Sequence, residues 1–342
     1  MKNNPLCLLC KSKTWKKGKR RGKIKYQCQS CKHWFQINHS SKAINAKKLL
    51  LLHLDGLSFR SLAEIFNISV GSAYNYCLEE MKKLPHLADV TRKYSGRFCG
   101  ILLTDGKFVK VKQYDRKIPV IYGVDYLSHD IPHYRLALSE NYQVCQKFFS
   151  SLKLLNYPMQ AVVCDDNQNI YQAASYVFPR LTIQLCLTHF LEHVRQEYDS
   201  RKQVINQEFV RDIEVLFEAK RNREDFNCRA RSLVLKYQSN ENYVNTLINI
   251  SLKKEKLLAY LSHHGTPQSN NLIECMNSHL QGRLETIKGF ESFEHADLWL
   301  NAYFLRRRTK KFTDCEGKFK KLNGKTPLQI SKKRGVDLPI FF

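Results

Sequence analysis

The sequence predicts a multidomain α/β protein made of a small metal-knuckle module, a short all-helical module and a mixed-sheet core carrying an all-α insertion. Three observations carry this expectation. Two Cys-x-x-Cys pairs stand near the start, and helix-period segments without strand alternation follow up to about residue 84. From Gly96 onward, β-rich and helical stretches alternate until about residue 190, where Leu-, Lys-, Glu- and Arg-rich sequence takes over. With 342 residues, 43% of them apolar, the chain can bury a sizeable core and fill two or three domains. No run approaches the roughly 18 apolar residues that span a bilayer, and the Lys-rich start has no apolar signal core. The expectation is a chain that engages no membrane and stays in the cytoplasm, associated with the nucleoid.

Charge narrows the partners. The formal net charge is +25, from 56 Lys and Arg against 31 Asp and Glu, which draws a protein to polyanions, nucleic acid first among them. Residues 1–54 hold fourteen Lys or Arg and no acid, interleaved with Trp15, Tyr26, Trp34 and Phe35. That mixture favours a folded basic module over a solvated charged tail.

The first element is the metal-knuckle module. Cys7 and Cys10, then Cys28 and Cys31, form two knuckles separated by seventeen residues, the arrangement that closes four thiolates around one structural Zn2+. Four thiolates leave no open coordination position, so this metal supports a fold and no chemistry. Residues 23–35 read as a hairpin of a zinc ribbon, and Lys16, Lys17, Lys19, Arg20, Arg21, Lys23 and Lys25 form its basic surface. Lys19, Arg20 and Arg21 are the leading DNA contacts. The other eight cysteines are scattered singly, and most of them read as small buried apolar residues, with Cys186 set apart.

Next come three helices. Residues 43–54 are Leu- and Lys-rich, Asp55-Gly56 breaks the pattern, Ser58 can cap a helix over 59–66, and Ser69 can cap one over 70–84. The short link at Asn67-Ile68 resembles that of a helix-turn-helix, which would make the third helix the recognition helix. Ser72, Asn75 and Tyr76 are then the base-contact candidates. An ordinary helical hairpin fits the same pattern when it stands alone, and adjacency to a basic zinc ribbon is what favours the DNA-binding reading.

The core follows a domain boundary between residues 84 and 96. Strands are expected at 98–104, 107–113 and 119–126, a helix at 142–155 and a strand at 160–164. Three strands, a helix and a fourth strand make the RNase H-like order, in which the first and fourth strands are neighbours. The acids ending those strands, Asp105 and Asp165, would meet there and offer the carboxylate pair that magnesium needs. Either one alone is equally a turn starter. Asp166 and Asp125 are alternatives. A third acid arrives on a late helix: Asn270, Glu274, Asn277 or Ser278, and Gln281 form a polar stripe, and Ile273, Met276, Leu280 and Leu284 an apolar one. A solvated face in so basic a chain would more naturally show Lys and Arg.

Asp105-Gly106, Asp165 in a V-x-x-D block, Gln184-x-Cys186-x-x-His189, and Asn270-Asn271-x-x-Glu274-x-x-Asn277 with Arg283 and Gly289-Phe290 together resemble the Mutator-like superfamily of insertion-sequence transposases, over roughly residues 98–312. The resemblance implies an RNase H-like DDE core in which Asp105, Asp165 and Glu274 bind two Mg2+ or Mn2+ ions. It also implies a helical insertion between the second Asp and the Glu. Cys186 and His189 would be auxiliary residues close to the metal centre, and Asn271 and Arg283 are further auxiliary candidates. Asp166-Asn167 departs from the family pattern and leaves Asp165 and Asp166 in competition. Cys186, His189 and His193 also share one helix face, so a zinc site there and a core histidine stay open.

The expected parts are a zinc ribbon (1–40), a helix-turn-helix (42–85), the first part of the core (96–190), the insertion (191–262), the core completion carrying Glu274 (263–312) and a basic tail (313–342). The expected partners are double-stranded DNA, as element terminal repeats and as target, and further copies of the chain in a homodimer or higher oligomer. Arg283, Lys288 and the run Arg306-Arg307-Arg308-Thr309-Lys310-Lys311 are phosphate-contact candidates. Two rival readings are a transcription regulator with the same amino-terminal modules and an RNase H-like nuclease without strand transfer.

Overall fold

Residues 4–20, 23–36, 44–218 and 222–342 are described in the structure, a computed structural model, and the chain falls into two units, 1–46 and 47–342. In the first unit, β1 (Thr14–Arg20), β2 (Lys23–Cys28) and β3 (Trp34–Gln36) form an antiparallel sheet in that order. The pleat sorts the side chains. Tyr26 faces Phe35 across the β2–β3 ladder and the two bury against Cys7 and Cys28, whereas Trp15, Gln27 and Trp34 occupy the register positions on the other face. Arg21 lies outside the described residues.

The second unit begins with four helices, α1 (Ala46–Leu54), α2 (Phe59–Phe66), α3 (Val70–Lys82) and α4 (Leu87–Tyr94). Ser58 and Ser69 accept hydrogen bonds from Ser61 N and Ser72 N, each at 3.1 Å, satisfying amides that a helix start leaves free. Asn67 sits at φ 52° and ends α2, letting Ile68 N donate to Ala63 O at 2.9 Å before α3 starts.

The sheet follows. Its strands are β4 (Ile101–Val109), β5 (Ile118–Asp125) and β6 (Tyr134–Leu136), then, after α5 (Tyr142–Leu154), β7 (Ala161–Cys164), and, after α6 (Gln168–Val177), β8 (Thr182–Leu185). The order is β6-β5-β4-β7-β8, with β4, β7 and β8 mutually parallel and β5 antiparallel to both β4 and β6. Four helices come next, α7 (Leu187–Glu197), α8 (Gln207–Leu216), α9 (Arg223–Lys236) and α10 (Glu241–Leu257), and then α11 (Asn271–Ile287), α12 (Phe293–Thr309) and α13 (Pro327–Ser331). Both faces of the sheet are covered, and β5 is buried along its whole length. Ile121 packs into the cluster formed with α5, α6 and the helices after β8, while its neighbour Tyr122 meets Asn277 of α11 and Phe304 of α12. Gly100, at φ +82°, leads the chain into β4 so close to its neighbour that a Cβ would lie 2.2 Å from Pro158 O.

Two expectations are corrected here. The separate strands expected at 98–104 and 107–113 are one strand, β4, whose pairing with β5 runs unbroken from Leu102 opposite Asp125 to Val109 opposite Ile118. Eight backbone pairs override the turn preference of Asp105-Gly106, so Asp105 lies inside its strand and the third strand of the order is the short β6. The basic run at the end of α12 is also not one continuous exposed surface. Arg308 is fully buried, bidentate on buried Asp130 at 2.7 Å for each oxygen, with Thr91 and Ser95 oxygens also at 2.7 Å, and Ser331 donates to the same carboxylate. It ties α4, α12 and the 313–342 segment together, and loss of either charge would strand the other in the core. Arg306 pairs with Asp55 at 2.8 Å.

α1 meets α12 through a titratable contact. The Trp299 indole N–H donates to His53 Nε2 at 3.3 Å while His53 Nδ1 lies 3.0 Å from Leu57 O, which fixes the neutral ring protonated on Nδ1. Burial depresses His53 to about 4. Because the unfolded ring titrates near 6.5, the unfolded chain binds the extra proton first as pH falls, and stability present above about pH 6.5 is lost on the way to pH 4. At pH 5 the loss is about 2 kcal/mol from this residue. The melting temperature is therefore expected to drop between pH 7.5 and pH 5. His53→Gln, whose amide oxygen accepts from Trp299 without titrating, should flatten that drop.

Candidate active site

The geometry starts from strand register. β4 and β7 are parallel neighbours with Ile101 beside Ala161, Leu102 beside Val162 and Leu103 beside Val163. The offset of sixty residues, continued past the end of β7 at Cys164, carries Asp165 toward Asp105, near enough for its charge to raise the Asp105 carboxyl. α11 brings the third acid. Asn277 Nδ2 donates to Asp105 Oδ2 at 2.7 Å while its Oδ1 accepts from Tyr122 OH at 2.8 Å, and Glu274 lies one turn earlier on the same helix face. Across from it, His189 Nε2 on α7 is 3.6 Å from Glu274 Oε1.

The start of α7 is locked to the start of α11. Cys186 Sγ accepts from Asn270 N at 3.4 Å, and Leu187 N donates to Gln268 O at 3.0 Å. Gln184 braces the other side, donating to Leu257 O at 2.9 Å and accepting from Tyr260 N at 2.8 Å. Thus the Gln-x-Cys-x-x-His segment holds two helices in place and presents one imidazole. Ligand atoms of Cys186, His189 and Glu274 lie within 4.8 Å of one another, close enough for one ion, and this group does not include His193.

Charge repulsion marks the site. Burial, and then the charge of Asp165, raises Asp105 to about 6, and burial raises Asp165. A fourth acid shares this field: burial, then Asp165 and Asp105, pushes Glu140 up to about 7. Its carboxylate lies over Gly106, where a Cβ would come within 2.9 Å of Oε1, and Oε1 accepts from Asn167 Nδ2 at 3.2 Å. His189 is raised to about 9 by the neighbouring Cys186 and then by the charges of Glu274 and Asp105. Asp165 Oδ1, Glu274 Oε1 and His189 Nδ1 are buried without a hydrogen-bond partner. Orphaned anionic oxygens in a cluster of mutually repelling acids fit a divalent cation, which would neutralise both faults at once. Asp166 is different: its carboxylate is ion-paired to Lys253 of α10.

Sequence reasoning missed Glu140. It sits in the irregular stretch before Asn141, the residue that caps α5, where no periodicity marks a face. Of the auxiliary residues, Asn271 accepts a long 3.4 Å bond from Thr188, and Arg283 packs over Gly56 in the turn after α1. Asn75 and Tyr76 are exposed on α3 and Ser72 is half-buried, bonded to Ser69. Lys19 and Arg20 are exposed at the end of β1.

In the first unit, the sulfurs of Cys7, Cys10, Cys28 and Cys31 lie within 4.8 Å of one another, with pairs at 3.3, 3.5 and 3.6 Å. Tetrahedral thiolates about 2.3 Å from zinc stand roughly 3.8 Å apart, so the group can hold such an ion with little movement. No helix among the described residues is long and apolar enough to cross a membrane.

A family model described as Transposase, Mutator family, matches residues 46–303, three quarters of the chain. No curated protein matches. Among solved structures, the chain is similar to a Drosophila P element transposase strand transfer complex, at 11% identity and TM-score 0.34, covering 85% of this chain and 91% of that one. It is also similar to a Mos1 transposase paired-end complex with left transposon end, at 15% identity and TM-score 0.20, covering 63% and 82%.

Proposed function

The chain belongs to the Mutator family of transposases, and from that premise we propose that it is an insertion-sequence transposase that binds element ends and carries out DNA strand cleavage and strand transfer. The observation that supports the reading is the β4–β7 register, which runs toward Asp105 and Asp165, together with the Asn277–Asp105 hydrogen bond from the helix that also carries Glu274. The strand order supports an RNase H-like core, and the three acids its DDE set. Asp105, Asp165 and Glu274 would hold two Mg2+ or Mn2+ ions, with Glu140 within reach of the same charge. Bound there, such a pair would supply charge stabilisation for the attacking and leaving oxygens of an in-line displacement. Asp166, neutralised by Lys253, is the weaker ligand candidate, which favours Asp165.

The protein's own groups do the rest. Asn277 orients Asp105, and His189 faces the anionic site beside Glu274. In the first step a water oxygen bonds to phosphorus at the element end and the P–O3′ bond breaks, leaving a 3′-hydroxyl. That hydroxyl then attacks a target phosphate, and the P–O3′ bond of the target breaks in turn. Residues 1–40 act as a zinc ribbon and 42–85 as a helix-turn-helix, with Lys19, Arg20, Ser72, Asn75 and Tyr76 towards DNA. Residues 96–190 and 263–312 form the core around the helical insertion 191–262, and 313–342 close it. Pairing two ends calls for at least a dimer on DNA.

The test is a labelled element end incubated with purified protein and Mg2+. Nicking at the end, followed by joining to a target duplex, is expected. Nicking without joining supports the nuclease reading, and end binding without any metal-dependent cleavage supports the regulator.

A further inference from the structure

The carboxylate site leaves one surface unexplained. Trp15 pairs with Gln27 and Gln27 with Trp34, so the three side chains form one row across β1, β2 and β3 on the same face of the sheet. Both indoles are open to solvent, Trp15 at 44% and Trp34 at 48% exposure, while the opposite face buries Tyr26 and Phe35. Cations ring them. The Lys17 and Lys32 ammonium groups lie over the Trp15 ring, 5.2 and 5.1 Å from its centroid, Lys25 lies over that of Trp34 at 5.2 Å, and Arg20, Lys25, Trp34 and Gln36 line a shallow groove. Residues 1–54 contain no acid to compete for these charges.

Large exposed aromatics beside lysines match one class of partner. Phosphates meet the lysines and bases meet the indole faces, a combination that holds nucleic acid without reading its sequence. The Trp positions are two strands apart, roughly 10 Å, against about 3.4 Å between stacked bases of one strand. Bases reaching both rings must therefore be splayed out of their stack. In a duplex the base faces are covered by their neighbours, so a duplex offers these rings only its sugar–phosphate edge.

We propose that the outward face of the β1–β2–β3 sheet is a base-stacking platform for single-stranded DNA, built on Trp15 and Trp34. The proposal stands apart from the carboxylate reading and would hold for a chain with no cleavage activity. It assigns the first unit a role in holding unpaired strands beyond positioning on a duplex.

The chain contains three tryptophans, and the third, Trp299, is 1% exposed, so intrinsic fluorescence quenching reports almost entirely on this face. The full-length, zinc-loaded chain is titrated without Mg2+ against oligothymidylate and against a duplex of equal length. Oligothymidylate is expected to quench. Trp15→Leu and Trp34→Leu should each weaken oligothymidylate binding by about tenfold, and the Phe variants should restore most of it. Duplex binding, read by anisotropy, and zinc content should stay unchanged in all four. Equal oligothymidylate affinity in the double Leu variant, or equal quenching by the duplex, overturns the proposal. Leu variants that lose self-association while keeping oligothymidylate affinity overturn it too.

Discussion

Asp165→Asn should abolish strand cleavage and at the same time raise the melting temperature of the metal-free protein. The two effects share one cause. Asp165 is held above its usual titration range by burial, and its charge raises both Asp105 and Glu140. At neutral pH a raised carboxylate costs the fold free energy, because the folded state would rather keep the proton. An isosteric amide removes that charge, relieves two neighbours and leaves the β7 end in shape. Adding Mg2+ reverses the order. A ligand that binds only the folded state stabilises it by about 2.7 kcal/mol at a hundred times its Kd, so the wild type should gain and the variant should not. Loss of cleavage should be at least about 10²-fold, the scale for removing one preorganised electrostatic contact. Glu274→Gln and Asp105→Asn should likewise lose cleavage and the Mg2+-dependent gain in melting temperature, measured as nicking of a labelled end and melting curves with and without Mg2+. A variant that melts lower in both conditions would mark its carboxylate as a structural residue and sink the assignment.

What the sequence showed of this site was whatever depended on local period or spacing. Glu274 and Asn277 could be read because a helix puts residues three apart on one face, and α11 runs through both. Ser58 and Ser69 could be read as caps because a cap is a contact three residues long. Asp105 was legible as an acid next to an apolar run, but its place within β4 was not, since the β5 pairing that carries the strand through Gly106 comes from residues 118–125. Arg308 shows the same limit. A run of three arginines reads as surface, and only Asp130, 178 residues away, makes one of them a buried strut. Glu140 belongs to no periodic element, and what gives it meaning is the charge of Asp165 and Asp105 from distant parts of the chain. The platform face of the first unit was half visible: the aromatics and lysines stood out, while their alignment in one row needed the register of three strands.

Removing zinc should unfold the first unit and leave the second intact. Among the described residues, the core of that unit consists of Tyr26, Phe35, Cys7 and Cys28, with Ile24 packed against it. So few side chains cannot offset the conformational entropy of ordering about forty residues. Zinc bound by such knuckles contributes about 10–16 kcal/mol of apparent binding free energy at pH 7, and in a site that forms only on folding this is folding free energy. Cys28→Ser removes a buried ligand that also accepts from Cys31 N at 3.3 Å, so the loss falls on the knuckle turn as well as on the metal. One zinc per chain is expected in the wild type and none in the variant, measured by a colorimetric chelator after thiol modification. Limited proteolysis should then cut within residues 1–46 of the variant, while the main thermal transition, set by the 47–342 core, stays where it was. Duplex binding should weaken because Lys19 and Arg20 lose the sheet that aligns them, and oligothymidylate binding because Trp15 and Trp34 lose it too. If the wild type carries no zinc, or if Cys28→Ser keeps both its metal and its protease resistance, the four cysteines are not the support of this unit.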